Sequence, residues 1–126
     1  MANIPAELKY TASHEWVSEE DGVWTVGLTD FAQDQLGDLV FVNLPQVGDA
    51  VTSGEAFADV ESVKAVSDVF SPVTGTVCEV NEDLLDSPEL VNEDPYGAWF
   101  VRVDEVEDTE ELLDADAYAT ACENEG

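Results

Sequence analysis

Ala56-Phe57-Ala58-Asp59-Val60-Glu61-Ser62-Val63-Lys64-Ala65-Val66-Ser67-Asp68-Val69-Phe70 is the stretch that decides the fold. As a hairpin with Val63-Lys64 at its loop, it pairs Ser62 with Ala65, Glu61 with Val66, Val60 with Ser67, Asp59 with Asp68 and Ala58 with Val69. Side chains alternate between the two faces of a strand, so Ala58, Val60, Ser67 and Val69 share a small, mainly apolar face suited to a core. Asp59, Glu61 and Asp68 fall on the opposite face, beside an exposed Lys64. Like charges directly opposite each other are unfavourable, so the Asp59–Asp68 pair calls for solvent, salt or a cationic ligand. The loop lacks the Asn-Gly or Gly residues usual in a two-residue turn. The tip itself stays at Val63-Lys64.

A lysine acting as a nucleophile needs a depressed pKa, which burial or nearby cations supply. The carboxylates around Lys64 act in the other direction and keep the amine charged. Two roles stay open from the pattern. Lys64 is an exposed acceptor for enzymatic acylation, or it is a solvated surface lysine of the common kind. The chain has only two lysines, Lys9 and Lys64, which makes one held at a hairpin tip worth noting.

Outward from the hairpin, short β-type runs alternate with turn signals at the spacing of an all-β sandwich or barrel. Trp24, Val26 and Leu28 alternate along one strand. Thr29 to Gly37 reads as a short helix, capped at Thr29 or Asp30 and closed by Gly37. Leu39-Val40-Phe41-Val42 is apolar on both faces and predicts a central strand covered on both sides. Pro45, Gly48-Asp49, Ser53-Gly54, Ser71-Pro72 and Thr74-Gly75 mark turns. Further on, Asp108-Thr109-Glu110-Glu111 resembles a capping box with Asp108 as N-cap. Leu112, Ala115, Ala119 and Cys122 then recur at helical spacing, and Asp114 offers a restart. The expectation is one domain over 1–126, with its hairpin core at about 23–104 and a helical segment at about 108–124 docked on the sheet.

Thirty acidic residues face Lys9, Lys64 and Arg102, for a net charge of −27. The acids are spread along the chain and enriched towards its C-terminal third. With 44% apolar residues in strand-like runs, the chain is not disordered as a whole. Acidity of this kind serves either to mimic nucleic acid or buffer cations, or as adaptation to a salt-rich cytoplasm, where charge is screened over roughly 3 Å at 1 M salt. The even spread favours salt adaptation. No apolar run is long enough to span a membrane, and the N-terminus, Met1 to Pro5, has no signal or transit pattern, so a cytoplasmic protein is expected. Cys78 and Cys122 lack metal-ligand or CxxC spacing and read as small, at least half-buried thiols. No catalytic triad, P-loop, Rossmann fingerprint or zinc motif supports an enzyme. Trp16, Trp24 and Trp99 read as packing residues, and the single histidine, His14, as a structural hydrogen-bonding group.

Several segments together carry a resemblance. Val60-Glu61-Ser62-Val63-Lys64-Ala65-Val66-Ser67-Asp68, followed by Ser71-Pro72-Val73-Thr74-Gly75, resembles the lipoylation hairpin of the glycine cleavage system H proteins. Tyr10-Thr11-Ala12-Ser13-His14-Glu15-Trp16-Val17 is similar to that family's N-terminal segment, and Thr29 to Asp38 to its short helix. Pro95 to Phe100 and the Tyr118/Cys122 helix resemble further features of the family, over roughly residues 6 to 124 in order. The resemblance implies a mainly β fold, a barrel-sandwich hybrid of two antiparallel sheets with short helices and a C-terminal helix. It implies lipoic acid in amide linkage on Lys64. It also implies a shuttle role between glycine decarboxylase (P protein), aminomethyltransferase (T protein) and dihydrolipoyl dehydrogenase (L protein), served by lipoyl-attachment enzymes. Such a chain is a non-catalytic carrier, a monomer, with no nucleic acid or membrane partner.

The resemblance also implies a cleft that shelters the cationic end of the loaded arm, and the matching positions are Ser13, Glu15 and Asp68. One departure is the near-absence of basic residues on a surface that must meet several enzymes; docking would rely on apolar and hydrogen-bonding contacts, with little long-range steering. A biotin carrier fits less well, since Val63 and Ala65 rather than methionines flank the lysine. A lipoyl domain of a 2-oxo acid dehydrogenase would lack the Ser13-His14-Glu15-Trp16 segment. A lipoate relay donating its lipoyl group to other enzymes would use the same lysine, and an acidic interaction protein would leave it bare.

Overall fold

The computed structural model describes residues 3–125, so Met1 and Ala2, the start of the segment expected to hold no signal pattern, and Gly126, lie outside the described residues. Among the described residues, nine strands and four helices follow one another: β1 (Lys9–Tyr10), β2 (Glu15–Glu20), β3 (Val23–Leu28), α1 (Asp30–Leu36), β4 (Leu39–Asn43), β5 (Ala50–Val51), β6 (Ala56–Ser62), β7 (Val66–Phe70), β8 (Val73–Val80), α2 (Asp83–Asp86), α3 (Leu90–Glu93), β9 (Val101–Thr109) and α4 (Ala115–Glu125). They build two antiparallel sheets, one ordered β1-β2-β3-β9-β8-β5 and the other β4-β6-β7. The mainly β, two-sheet architecture with short helices and a C-terminal helix is the one expected.

Valine packing joins the sheets. Val42, Val60 and Val69 from the small sheet meet Val26, Val73, Val77, Val101 and Val103 from the large one in a single buried cluster. Alternation supplies these residues: each comes from the inward-facing set of its strand, and β-branched side chains suit a pleated, covered surface. A second buried cluster of Tyr10, Trp16, Tyr118 and Cys122 fastens α4 to the large sheet. There Tyr10 and Tyr118 stack with ring centroids 4.6 Å apart. Gly27 makes room for this corner, because a Cβ there would sit 2.6 Å from the Trp16 indole nitrogen. Trp16 is buried in this way, while Trp99 lies under the Arg102 guanidinium, 4.1 Å from the ring centroid.

The hairpin register is the one read from the sequence: Ala58 faces Val69, Asp59 faces Asp68, Val60 faces Ser67 and Glu61 faces Val66. Ala58, Val60 and Val69 are buried. The helix at Thr29–Gly37 also forms as expected. The Thr29 hydroxyl accepts the Ala32 amide at 3.1 Å, and Gly37 closes the helix with φ 81°. Cys122 is buried and Cys78 half-buried, and the two form no disulfide with each other.

Two expectations are corrected. Leu39–Val42 is not a central strand: β4 is an edge of the small sheet, and a register shift between Leu39 and Phe41 leaves Val40 and Phe41 each about half exposed. A bulge puts two residues opposite one, which breaks the inside–outside alternation that a run of apolar residues suggests. The capping box at Asp108 does not form either. β9 runs on to Thr109, with Asp108 paired to Thr74 and Thr109 to Val73, so the backbone there is committed to the sheet. Asp114 caps α4 instead, its Oδ1 accepting the Ala117 amide at 2.8 Å. The helical segment therefore begins at Ala115 rather than near 108, and Tyr118 and Cys122 carry its buried stripe.

Candidate functional site

Lys64 projects from the exposed turn joining β6 and β7. The Ser62 amide donates to the Ala65 carbonyl at 2.7 Å, as a two-residue loop requires. The hydrogen bond that would close the turn from the other side goes to a side chain: the Ala65 amide donates to Ser62 Oγ at 3.0 Å. This replaces the glycine-dependent geometry the loop lacks. The turn is also held from behind, where the Val63 amide donates to the Asp38 carbonyl at 3.1 Å. Asn92 fixes that neighbouring segment, donating to the Gly37 carbonyl at 2.9 Å and accepting the Leu39 amide at 2.9 Å. The Lys64 stem passes close to Gly37, where a Cβ would stand 3.4 Å from Cε. The turn backbone around Lys64 is thus anchored, and its side chain is exposed.

Beside the hairpin lies a groove of 270 Å³. β3 contributes Leu28, α1 contributes Phe31 and Leu36, and the hairpin contributes Val60 and Val69, which together form an apolar floor. Ser13, His14, Gln35, Ser67 and Asp68 supply the polar rim. Of the residues singled out in the sequence, Ser13 and Asp68 line this groove. Glu15 does not. It is 1% exposed and sits behind Ser13, where its Oε1 accepts the Ser13 hydroxyl at 2.5 Å and the Thr11 hydroxyl at 2.6 Å. Its Oε2 accepts the Phe70 amide at 3.3 Å. Burial pushes the Glu15 carboxyl up to about 7, against the opposing pull of the Ser13 and Thr11 hydroxyls and the Phe70 amide. Asp68 is exposed, so the two carboxyls of this corner occupy opposite environments.

Comparison with known proteins shows which family the chain belongs to. Residues 8–125 match the family model of the glycine cleavage H-protein. The glycine cleavage system H protein of Alteromonas mediterranea is 55% identical over 129 residues, covering 99% of this chain and 100% of the relative. That of Shewanella sp. (strain W3-18-1) is 57% identical over the same span and coverage. The chain belongs to the glycine cleavage H-protein family. A crystal structure of a family protein from Mycobacterium marinum superimposes with a TM-score of 0.89 at 43% identity, covering 98% of this chain and 100% of that one. The family supplies the lipoyl carrier of the glycine cleavage system, the function the resemblance implied.

The residues present suit such a prosthetic group. An aliphatic chain ending in sulfur atoms needs an apolar trough within reach of its anchor, and the floor from Leu28 to Val69 is one. Four contributors escaped the sequence. Gln35 and Phe31 reach the groove because α1 turns one face towards it, and the 3.6-residue period of that helix could have shown them together. His14 was read as a structural group, and its Nδ1 does bond the Tyr118 hydroxyl at 2.8 Å. The same residue also lines the groove, held at φ 76°, a conformation that side chains other than glycine rarely adopt. Thr11 was quoted only as part of a segment, yet it bonds Glu15 directly.

Proposed function

We propose that Lys64 carries lipoic acid in amide linkage, and that the groove beside the β6–β7 hairpin shelters the far end of that arm between visits to other enzymes. The observation that carries this reading is the pairing of an exposed lysine on an anchored turn with an adjacent apolar groove rimmed by Ser13 and Asp68. When bound, the arm supplies a disulfide–dithiol couple able to accept, carry and release an aminomethyl group. Everything else falls to the protein. Leu28, Phe31, Leu36, Val60 and Val69 exclude water from the arm's carbon chain. Ser13 and Asp68 meet its cationic end directly, and Glu15 supports it through Ser13. Exposed Val63 and Val66, beside Lys64, give partner enzymes an apolar rim to grip.

In this reading the chain performs no chemistry of its own. Its partners are glycine decarboxylase, aminomethyltransferase, dihydrolipoyl dehydrogenase and the enzymes that attach the lipoyl group. It acts as a cytoplasmic monomer, and its net charge of −27 opposes self-association. Among the described residues, no helix is long and apolar enough to cross a membrane. The acidic surface is adapted to a salt-rich interior. That extension has its own check: the unfolding temperature should fall clearly between molar and millimolar KCl, and an unchanged value refutes it.

Intact-mass and peptide analysis of protein from its native host tests the main proposal. A lipoyl increment confined to Lys64 is the expected result. A biotinyl increment would change the cofactor, and bare lysine in every molecule would overturn the carrier reading. Complementation of glycine cleavage then separates a shuttle from a protein that relays lipoate elsewhere.

A further inference from the structure

Glu15 does not touch the groove; Ser13 does. What Ser13 presents there depends on where a small number of protons lie. The Ser13 and Thr11 hydroxyls sit 2.5 Å and 2.6 Å from the same carboxyl oxygen, Glu15 Oε1, and their own oxygens are 3.2 Å apart. Thr11 is buried, at 4% exposure, and its Oγ1 also accepts the Glu15 backbone amide at 3.1 Å. A hydroxyl donates once and has two lone pairs, whereas an ionised carboxylate only accepts. With Glu15 ionised, both hydroxyl protons therefore point at Oε1, and the Thr11–Ser13 contact carries none. Ser13 is left with lone pairs for the groove.

A protonated Glu15 inverts this pattern. Its O–H needs an acceptor, Ser13 can provide one, and the Ser13 proton is then free to turn to the groove. A wall of lone pairs suits an ammonium group, which has donors and no acceptor. A wall offering a proton repels it. Which pattern holds depends on how well the buried carboxyl is supported as an anion.

We propose that Thr11 is a positioning residue: by donating its one proton to Glu15 Oε1 while accepting the Glu15 amide, it favours the ionised form of Glu15 and so favours Ser13 as an acceptor towards the groove. The proposal rests on the reading that the groove receives the cationic end of the arm, and it deepens that reading by setting the site's selectivity for a cation. Two further observations support it. None of Glu15's hydrogen-bond partners among the described residues carries a charge, so neutral donors alone offset its burial. No charged neighbour contributes to the upward shift of Glu15. The other titratable groups facing the network are His14 and Asp68 in the groove, with Glu110 and Glu111 across a second depression shared by Thr11, Ser13 and Phe70.

The test compares Thr11→Val, which keeps the shape and removes the hydroxyl, with Thr11→Ser, which keeps it. In the chain without its arm, the Glu15 carboxyl is titrated by carbon-13 NMR. Loss of a donor to the ionised form should raise the Thr11→Val midpoint by about one pH unit or more, while Thr11→Ser titrates as wild type. A Thr11→Val midpoint equal to that of wild type overturns the proposal. Thr11→Ala gives the same contrast should the valine variant not fold. On lipoylated, aminomethyl-loaded protein at pH 7, Thr11→Val should release its load several-fold faster, and Thr11→Ser should match wild type. Glu15→Gln separates the two levels of inference. If it releases at the wild-type rate, the sheltering reading of Glu15 fails; if it accelerates release but the Thr11→Val titration does not move, only the role of Thr11 fails.

Discussion

The hairpin tip and the foot of the groove handle charge in opposite ways. Lys64 stands in solvent on a turn whose backbone is pinned by Ser62 and Asp38. Glu15 is 1% exposed and held by three neutral donors. Under the proposed function, the difference follows from what each must meet. An attachment site has to enter the active sites of other enzymes, so access matters and electrostatic tuning does not. A group that retains a small cation gains from leaving water, because a charge-assisted hydrogen bond is strongest where solvent does not compete. Asp68, exposed and directly opposite Asp59, has the right charge without that environment.

The largest effect tests the tip. Lys64→Arg keeps charge and exposure but removes the amine that forms the amide. Lipoyl attachment, followed by intact mass, should vanish completely, and carrier activity with it. Stability should stay within about 0.5 kcal/mol of wild type in urea unfolding, as for other surface changes. A retained lipoyl increment would move the attachment site away from the hairpin.

The next effect tests the foot. Glu15's carboxyl is raised from an ordinary 4.5 to about 7 in the fold, so the native state holds this proton more tightly than the unfolded chain does. Its stabilising contribution is fully present below about 4.5 and is lost as pH rises through about 7. Across that window the loss is on the order of 3 kcal/mol. The other acids of the chain also charge as pH rises, so the diagnostic quantity is the difference between wild type and Glu15→Gln. Urea unfolding from pH 5 to pH 8 should show the flatter profile in Glu15→Gln, and parallel profiles would mean that Glu15 titrates like a solvated acid. The two carboxyls should also differ in holding the aminomethyl load. Glu15 acts through the buried, charge-assisted bond from Ser13, worth about 1.5–3 kcal/mol, so Glu15→Gln should speed release by about tenfold or more. An exposed one is worth about 0.2–1 kcal/mol, so Asp68→Asn should speed it by about fivefold at most. Equal effects would erase the contrast between the two acids.

The tip was legible in the sequence and the foot was not, for a physical reason. A hairpin is a local object: its two-residue side-chain period and its turn fix every pair from Ala58–Val69 to Glu61–Val66 once the loop is placed. The short helix was legible for a similar reason, since Thr29 and Gly37 mark its ends. Burial of Glu15 depends on Phe70, 55 positions away, and nothing local distinguishes it among 30 acids. Family resemblance brought Glu15 forward, yet only the fold showed that it sits behind Ser13. The bulge in β4 and the extension of β9 to Thr109 were hidden likewise, because both depend on what a distant partner strand offers.

The smallest effect concerns the brace that links the far end of the chain to the groove. Tyr118 on α4 is fully buried, and its hydroxyl lies 2.7 Å from the Thr29 hydroxyl and 2.8 Å from His14 Nδ1. Burial drives its phenol above the ordinary tyrosine range, so the group stays protonated and serves as a fixed hydrogen-bonding hub. Thr29 caps α1, which supplies Phe31 and Leu36 to the groove, and His14 sits on the groove wall. Tyr118→Phe keeps the stacking on Tyr10 and removes only the hydroxyl. It should cost about 1–2 kcal/mol in urea unfolding, the usual loss when a buried bond is broken and its partners are left behind. Lys64 lies outside this network, so lipoyl attachment should proceed at the wild-type rate. Load retention should fall modestly, by less than in Glu15→Gln, because the wall residue loosens while the buried carboxyl keeps its donors. A slowed attachment would instead mean that tip and foot are mechanically one unit, and the division between them would have to be abandoned.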